Sequence, residues 1–337
     1  MTHKQVTVKD IGRRLNLHFT TVSKALHDHP DISEQTKRTV ISLAEELGYH
    51  PNSIAKNLKN QKTSTLGVIV PSIKNDFFSA VISGIEEVAY GRGFNTIVCQ
   101  SNEDTGCEAI HARTLTSNRV AGVLVSVAET TTSGAHFRTL QNHGIPLVFF
   151  DRFCEDIEAD KVVVDDHNGA AQAVNHLVQS GYKRIAHLAG PVNTSIGSDR
   201  CRGYMDELRR NGIEIDPEMI VYGGFGEKDG ISAFRTLLSR DKMPDAIFAV
   251  NDPVAIGVYK ETKRKKLKIP QDIAVVGFGN NTLSSYLDPP LTTVIQSPYK
   301  MGKIAAGMLL RRIDDEKGDM EPEVEVIETK LILREST

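Results

Sequence analysis

Apolar positions in the first part of the chain fall into three short stripes of helical period. Val8, Ile11 and Leu15 recur three and four residues apart behind Thr7, and Asp10 stands where a capping box places its acid. A first helix therefore starts at Thr7. Asn16 is a residue type that takes the left-handed turn after a helix, Leu17 turns inward, and residues 19–27 carry Val22, Ala25 and Leu26 for a second stripe. After the polar stretch Asp28-His29-Pro30-Asp31, Ser33 caps a third helix whose apolar face is Val40, Leu43, Ala44 and Leu47, and Gly48 ends it. Three stripes close one miniature core. Residues 51–59 open on Pro51 and present a narrow apolar edge of Ile54, Ala55 and Leu58. Helices below roughly 12 residues are marginal in water, so this one needs a partner copy and DNA to hold it.

From Leu66 the pattern changes to short β-rich apolar runs separated by helical stretches. The runs at 66–70, 96–99, 122–125, 147–149, 162–164, 185–189, 219–222, 246–250 and 273–276 read as strands of parallel sheets with right-handed crossovers. Nine such strands suit two sheets better than one. The expected fold is an all-α helix-turn-helix head joined by a hinge helix to an α/β body of two doubly wound parallel-sheet lobes. Its expected boundaries are 1–50 for the head, 51–63 for hinge and linker, 64–161 plus 292–322 for the first lobe, and 162–291 plus 323–337 for the second.

Composition agrees with a soluble globular protein and excludes disorder, with 40% hydrophobic and 25% charged residues in a chain of 337. No apolar stretch reaches the roughly 18 residues of a membrane span, and no apolar signal core follows the first charged residues. The expected location is the cytoplasm, at the nucleoid, with no membrane partner. Cys99, Cys107, Cys154 and Cys201 form no C-x-x-C pair and read as reduced structural thiols, and His27 and His29 around Asp28 lack a fourth ligand. No metal or cofactor is expected. The net charge of -3 hides an asymmetry: residues 1–64 carry +4 and five of the 11 His, while the remainder carries -7. A basic head on an acidic body meets a polyanion with the head alone.

The candidate chemistry follows that division. In a helix-turn-helix the second helix enters the major groove and its early residues reach base edges. Here Phe19 suits a thymine methyl, Thr20 a base or phosphate, and Lys24 a guanine or phosphate, with Thr21 and Ser23 on phosphates. Thr7 joins this set from the first helix. In the hinge, Leu58 is placed to wedge between base pairs of a minor groove while Lys56 and Lys59 meet phosphates, with Asn52 and Ala55 on the same DNA-facing segment. In the body, residues just past expected strand ends gather where the two lobes face each other: Asn75, Asp76, Phe77 and Phe78; Asp151 and Arg152; Thr194 and Arg200; Phe225; Asn251 and Asp252; Asn280 and Asn281. Phenyl rings opposite amides, a carboxylate and a guanidinium suit a small polyhydroxylated ligand. The sequence holds no dinucleotide-binding, phosphate-loop or nucleophile-elbow glycine motif, and no acid, base and nucleophile arrangement for an enzyme.

Taken in order, Val6-Thr7-Val8-Lys9-Asp10-Ile11, Thr21-Val22-Ser23-Lys24-Ala25-Leu26, Ile32-Ser33, Glu45-Glu46-Leu47-Gly48-Tyr49-His50-Pro51-Asn52 and Leu66-Gly67-Val68-Ile69-Val70-Pro71 resemble the LacI family of bacterial transcriptional repressors. The resemblance continues through Asp151-Arg152, Arg200 before Gly203-Tyr204, Asn251-Asp252, Val275-Val276-Gly277-Phe278 and Pro289-Pro290-Leu291-Thr292-Thr293-Val294, so it spans nearly the whole chain. It implies a homodimer on a near-palindromic operator, with paired hinge helices opening the central minor groove through Leu58. It also implies an effector pocket, usually for a sugar or related metabolite, at the positions of Phe77, Phe78, Arg152, Arg200, Phe225 and Asn251. Three positions depart from the family pattern. Gly279 replaces an aspartate that bonds the effector, so that Asn280 substitutes, the ligand differs, or the pocket is degenerate; His18 replaces a serine cap; Asp76 replaces a common proline. The competing expectation is a sugar receptor of the periplasmic binding type without a DNA function, against which the basic head counts.

Overall fold

The computed structural model describes residues 6–26, 28–49, 63–315 and 318–337. They form two compact units, residues 1–61 and 62–337. The small unit consists of α1 (Val8–Leu15), α2 (Phe19–Leu26) and α3 (Glu34–Glu46). Asp10 Oδ2 accepts both the Thr7 backbone N–H at 3.0 Å and the Thr7 hydroxyl at 2.6 Å, which fixes the start of α1. Asn16 ends it in the left-handed region at φ 53°, and Ser33 Oγ accepts the Thr36 N–H at the start of α3. Ile11, Val22, Ala25, Val40 and Ala44 are buried at the centre of the three helices.

The larger unit holds two six-stranded sheets. The strands are β1 (Thr65–Val70), β2 (Asn95–Gln100), β3 (Gly122–Val125), β4 (Leu147–Phe150), β5 (Asp160–Val164), β6 (Ile185–Ala189), β7 (Ile220–Tyr222), β8 (Ala246–Ala249), β9 (Ala274–Gly279), β10 (Thr292–Ile295), β11 (Val324–Ile327) and β12 (Lys330–Ile332). The first sheet runs β11-β5-β4-β3-β1-β2 and the second β12-β10-β9-β8-β6-β7, all parallel except for β12 against β10. The crossovers are α4 (Asp76–Gly91), α5 (Thr105–Ser117), α6 (Arg138–Asn142), α7 (Asp166–Gln179), α8 (Ser195–Arg210), α9 (Glu227–Leu238) and α10 (Asp252–Lys265), and α11 (Pro298–Asp314) precedes β11. Helices α4 and α11 touch backbone to backbone. A Cβ on Gly84 would sit 2.2 Å from the Tyr299 carbonyl oxygen, and one on Gly302 would sit 2.0 Å from that of Val81.

The lobe boundaries differ from the expected ones. The segment 162–164, expected in the second lobe, belongs to β5, which pairs with β4 and β11 in the first sheet, and Asp160 at its start takes the Arg312 guanidinium of α11 at 2.8 and 2.5 Å. Residues 292–295, expected in the first lobe, form β10, which pairs with β9 in the second sheet, and the Thr293 hydroxyl donates to Asp252 at 2.6 Å. In the tail, β11 joins the first sheet and only β12 joins the second. The chain therefore crosses between sheets three times, after β5, after β10 and after β11.

Candidate functional site

The carboxyl ends of the strands in both sheets open onto one cavity of about 800 Å³. From the first sheet, the turn after β1 supplies Phe77 and Phe78 on the opening turn of α4, where Asn75 Oδ1 accepts the Phe77 N–H at 3.0 Å. Glu103 follows β2, Glu129 follows β3, and Asp151 with Arg152 follow β4. From the second sheet come Ile196 and Arg200 on α8, Phe225 before α9, Asp229 on it, and Asn251 at the start of α10. Asn281 after β9 and the buried Gln296 after β10 complete the second side.

Two arginines organise these walls. Arg152 donates to Glu103 through Nη1 at 2.8 and 3.2 Å and through Nη2 at 3.2 Å, a forked pair that fixes the guanidinium plane. That plane lies 4.5 Å from the Phe225 ring centroid and 5.9 Å from that of Phe78, so one cation links aromatic walls of both lobes. Arg200, only 2% exposed, donates through Nε to Asp166 at 2.7 Å and through Nη1 to the Val250 carbonyl at 2.5 Å, and it stacks 3.6 Å from the Phe278 centroid. Asp151 sits in the left-handed region at φ 62° and accepts one long bond, from the Ser126 hydroxyl at 3.3 Å. Burial pushes its carboxyl up to about 6, against the pull of Arg152. Asn251 caps α10 by accepting the Val254 N–H and holds Phe225 by donating to its carbonyl, each at 2.9 Å.

Seven of the ten expected effector residues line this cavity: Phe77, Phe78, Asp151, Arg152, Arg200, Phe225 and Asn251. Three do not line it. Thr194 is the N-cap of α8, accepting the Gly197 N–H and donating to the Pro191 carbonyl. Asp252 is fully buried behind the wall, where it accepts from the Ser284 and Thr293 hydroxyls and the Asn281 N–H. Asn280 gives its amide oxygen to Arg334 at 2.7 Å, and Asn281 lines the cavity instead. Gly279 has φ 136°, a conformation closed to an aspartate, and the Asn281 Oδ1 lies 3.1 Å from where a Cβ would stand. The carboxylates Glu103, Glu129 and Asp229 also belong to the lining and escape the sequence patterning. The first two follow strand ends like the other lining residues, but they stand in polar runs that read as solvated loop.

On the small unit, Phe19, Thr20 and Lys24 are exposed on α2, with Thr21 and Ser23 half-buried beside them. Phe19 is 45% exposed. The Thr20 hydroxyl lies 2.8 Å from His18 Nδ1, and the Lys24 ammonium pairs with Asp31 at 2.8 Å. Both groups are on the surface, where such a pair is worth little and exchanges readily for a phosphate. Thr7 is exposed but spends its hydroxyl on Asp10. The hinge candidates Asn52, Ala55, Lys56, Leu58 and Lys59 lie outside the described residues. Among the described residues no three His, Cys, Asp or Glu side chains converge as a metal site, and no helix is long and apolar enough to cross a membrane.

Residues 7–52 match the profile of the bacterial regulatory proteins, lacI family, and residues 174–337 match that of the periplasmic binding protein-like domain. The chain is 33% identical over 330 residues to the HTH-type transcriptional repressor PurR of Vibrio atlanticus (strain LGP32), covering 97% of this chain and 98% of that one. It belongs to the LacI family. The HTH-type transcriptional repressor CytR of Escherichia coli (strain K12) is 32% identical over 331 residues, 98% of this chain and 96% of that one. Among solved structures, a transcriptional regulator CelR-cellobiose complex superposes with a TM-score of 0.75 at 28% identity, covering 99% of this chain and 100% of that one. As a LacI-family member the chain is a DNA-binding transcriptional regulator.

Proposed function

We propose that this LacI-family chain is a cytoplasmic repressor that binds a near-palindromic operator as a homodimer and changes its operator affinity when a small polyhydroxylated ligand occupies the cleft. The observation that carries the reading is the composition of the cavity wall. Phe77, Phe78 and Arg152 come from one sheet's side and Arg200, Phe225 and Asn251 from the other's, so a ligand touching both sets favours one separation of the lobes. A ligand shifts such an equilibrium only by its difference in affinity for the two states. The CelR complex contains cellobiose, which supports a sugar-like ligand for a cleft of the same architecture. Phenyl faces cover the apolar side of such a ring, and the Arg200 Nη2, which makes no hydrogen bond among the described residues, is a donor for its rim.

On the DNA side, α2 is the recognition helix, with Phe19, Thr20 and Lys24 toward base edges and Thr21 and Ser23 toward phosphates. Residues 51–63 supply the hinge, with Leu58 as its minor-groove wedge. The test is a selection of bound duplexes from sheared genomic DNA with full-length protein at modest salt, with and without a metabolite pool. Enrichment of a near-palindrome whose affinity responds to the pool is expected. Enrichment of no sequence under either condition overturns the reading, and binding indifferent to the pool overturns the effector half of it.

A further inference from the structure

Charge in the cleft is unevenly distributed for a site that binds only neutral hydroxyls. Six of the lining side chains are carboxylates and three are cations. Two of those cations are already spent, Arg152 on Glu103 and Arg200 on Asp166. Glu227 is matched by Lys260 at 2.8 Å. Glu129 and Asp229 are not matched: among the described residues neither lies within ion-pair distance of a cation, and the Glu129 carboxylate makes no hydrogen bond at all. The two belong to opposite lobes. The Glu129 loop already reaches across, because its backbone carbonyl accepts the Asn193 Nδ2 at 2.7 Å from the loop after β6. Burial raises the proton affinity of Glu129 first, the charge of Glu103 raises it further against the pull of Arg152, and Asp229 from the second lobe adds the smallest push.

A second observation asks for an oxygen acceptor in the same ligand. Arg152 is 95% buried in the wall between the Phe78 and Phe225 rings, and its Nε has no hydrogen-bond partner among the described residues; the nearest anion, Asp151, stands at 3.8 Å. That buried donor makes no hydrogen bond, and a hydroxyl or ring oxygen of a ligand seated between the two rings would supply one. The cation that would settle Glu129 and Asp229 is organic, because no three carboxylates, imidazoles or thiols converge among the described residues, as a bound metal ion requires. The aromatic lining likewise calls for a carbon skeleton.

We propose that the cleft takes a polyhydroxylated ligand bearing a protonated amine, with the ammonium held between Glu129 of the first lobe and Asp229 of the second. The inference rests on the cleft being the ligand site. It gives the ligand its leverage on lobe closure, since the ammonium converts a repulsion between the lobes into an attraction that exists only when they are close. The same carboxylates repel phosphorylated and carboxylated sugars, with Lys74 the one lining cation in no ion pair among the described residues.

The experiment is calorimetric titration of full-length protein with three matched series: glucose, glucosamine and glucose 6-phosphate, and the corresponding galactose and mannose compounds. Within the series that binds, the amine is expected to bind about tenfold or more tightly than the neutral sugar, as befits a charge-assisted bond, with no binding of the phosphate. Glu129→Gln should abolish that preference, and Phe225→Ala should abolish binding of the amine. Tightest binding by a neutral or phosphorylated sugar, lost in Phe225→Ala, overturns the ammonium assignment and leaves the cleft as the ligand site. An amine preference that Glu129→Gln leaves unchanged also overturns it. Binding untouched by Phe225→Ala overturns the cleft reading itself, and silence from every amine at millimolar concentration overturns the inference.

Discussion

Asp151 meets the cleft with a single long hydrogen bond and a carboxyl pushed up to about 6 by burial. The unfolded chain holds that proton with the ordinary affinity of an aspartate, near 3.8. The folded state therefore binds the proton more tightly, and the stability this group contributes is fully present below the unfolded value and lost as pH rises through about 6. Asp151→Asn removes the charge permanently, so it should exceed the parent in stability by about 1–3 kcal/mol near neutral pH and match it near pH 4. Urea midpoints across that range measure the difference. Arg200→Met acts in the opposite direction, because it leaves Asp166 buried without its 2.7 Å partner; a loss of about 3–5 kcal/mol in the same assay is expected. Single side chains also set the limit of what the sequence reveals about the site. Phe77, Phe225 and Arg152 are legible because an aromatic or a guanidinium just past a strand end has few other uses. Thr194 and Asp252 stand at equivalent places but serve the protein's own backbone and hydroxyls, and a short polar residue at a helix start reads the same in either role. Glu129 is hidden for the converse reason: an acid in a threonine-rich loop looks solvated until the opposite lobe is placed over it.

At the level of elements, the helices of the head and most strands of the body follow from local pattern, since caps such as Ser33 and runs such as 66–70 act within a few residues of where they stand. Ser33→Ala should cost about 1 kcal/mol of head stability, read by thermal denaturation. Which sheet a strand joins is a different kind of information. β5 and β10 are apolar runs like any other, and their membership is fixed by distant partners, Arg312 for Asp160 and Asp252 for Thr293. Helix contacts follow the same logic. Gly84 faces a carbonyl of α11 more than two hundred residues away, and Gly84→Ala should force the helices apart at a cost of about 1–3 kcal/mol in urea denaturation.

For the whole molecule, the proposed reading assigns DNA reading to the small helical unit and ligand sensing to the large α/β unit. Leu58→Ala should reduce operator affinity about tenfold or more, measured by fluorescence anisotropy on the selected duplex, while the ligand titration of the body stays unchanged. The reverse dissociation is expected of Phe225→Ala, which should abolish the response to ligand and keep ligand-free operator affinity. The three passages of the chain between the sheets bear on something earlier than either activity, the order in which the protein is made. The first lobe lacks α11, which packs on α4, and β11, which borders β5, until the last tenth of the chain has been translated. The second lacks β12 for longer still. A chain that ends after β10 thus lacks the last strand of each sheet and leaves the α11-facing side of α4 bare. Ribosome-stalled chains ending there should remain protease-sensitive in both lobes, and synthesis of the final segment closes them together.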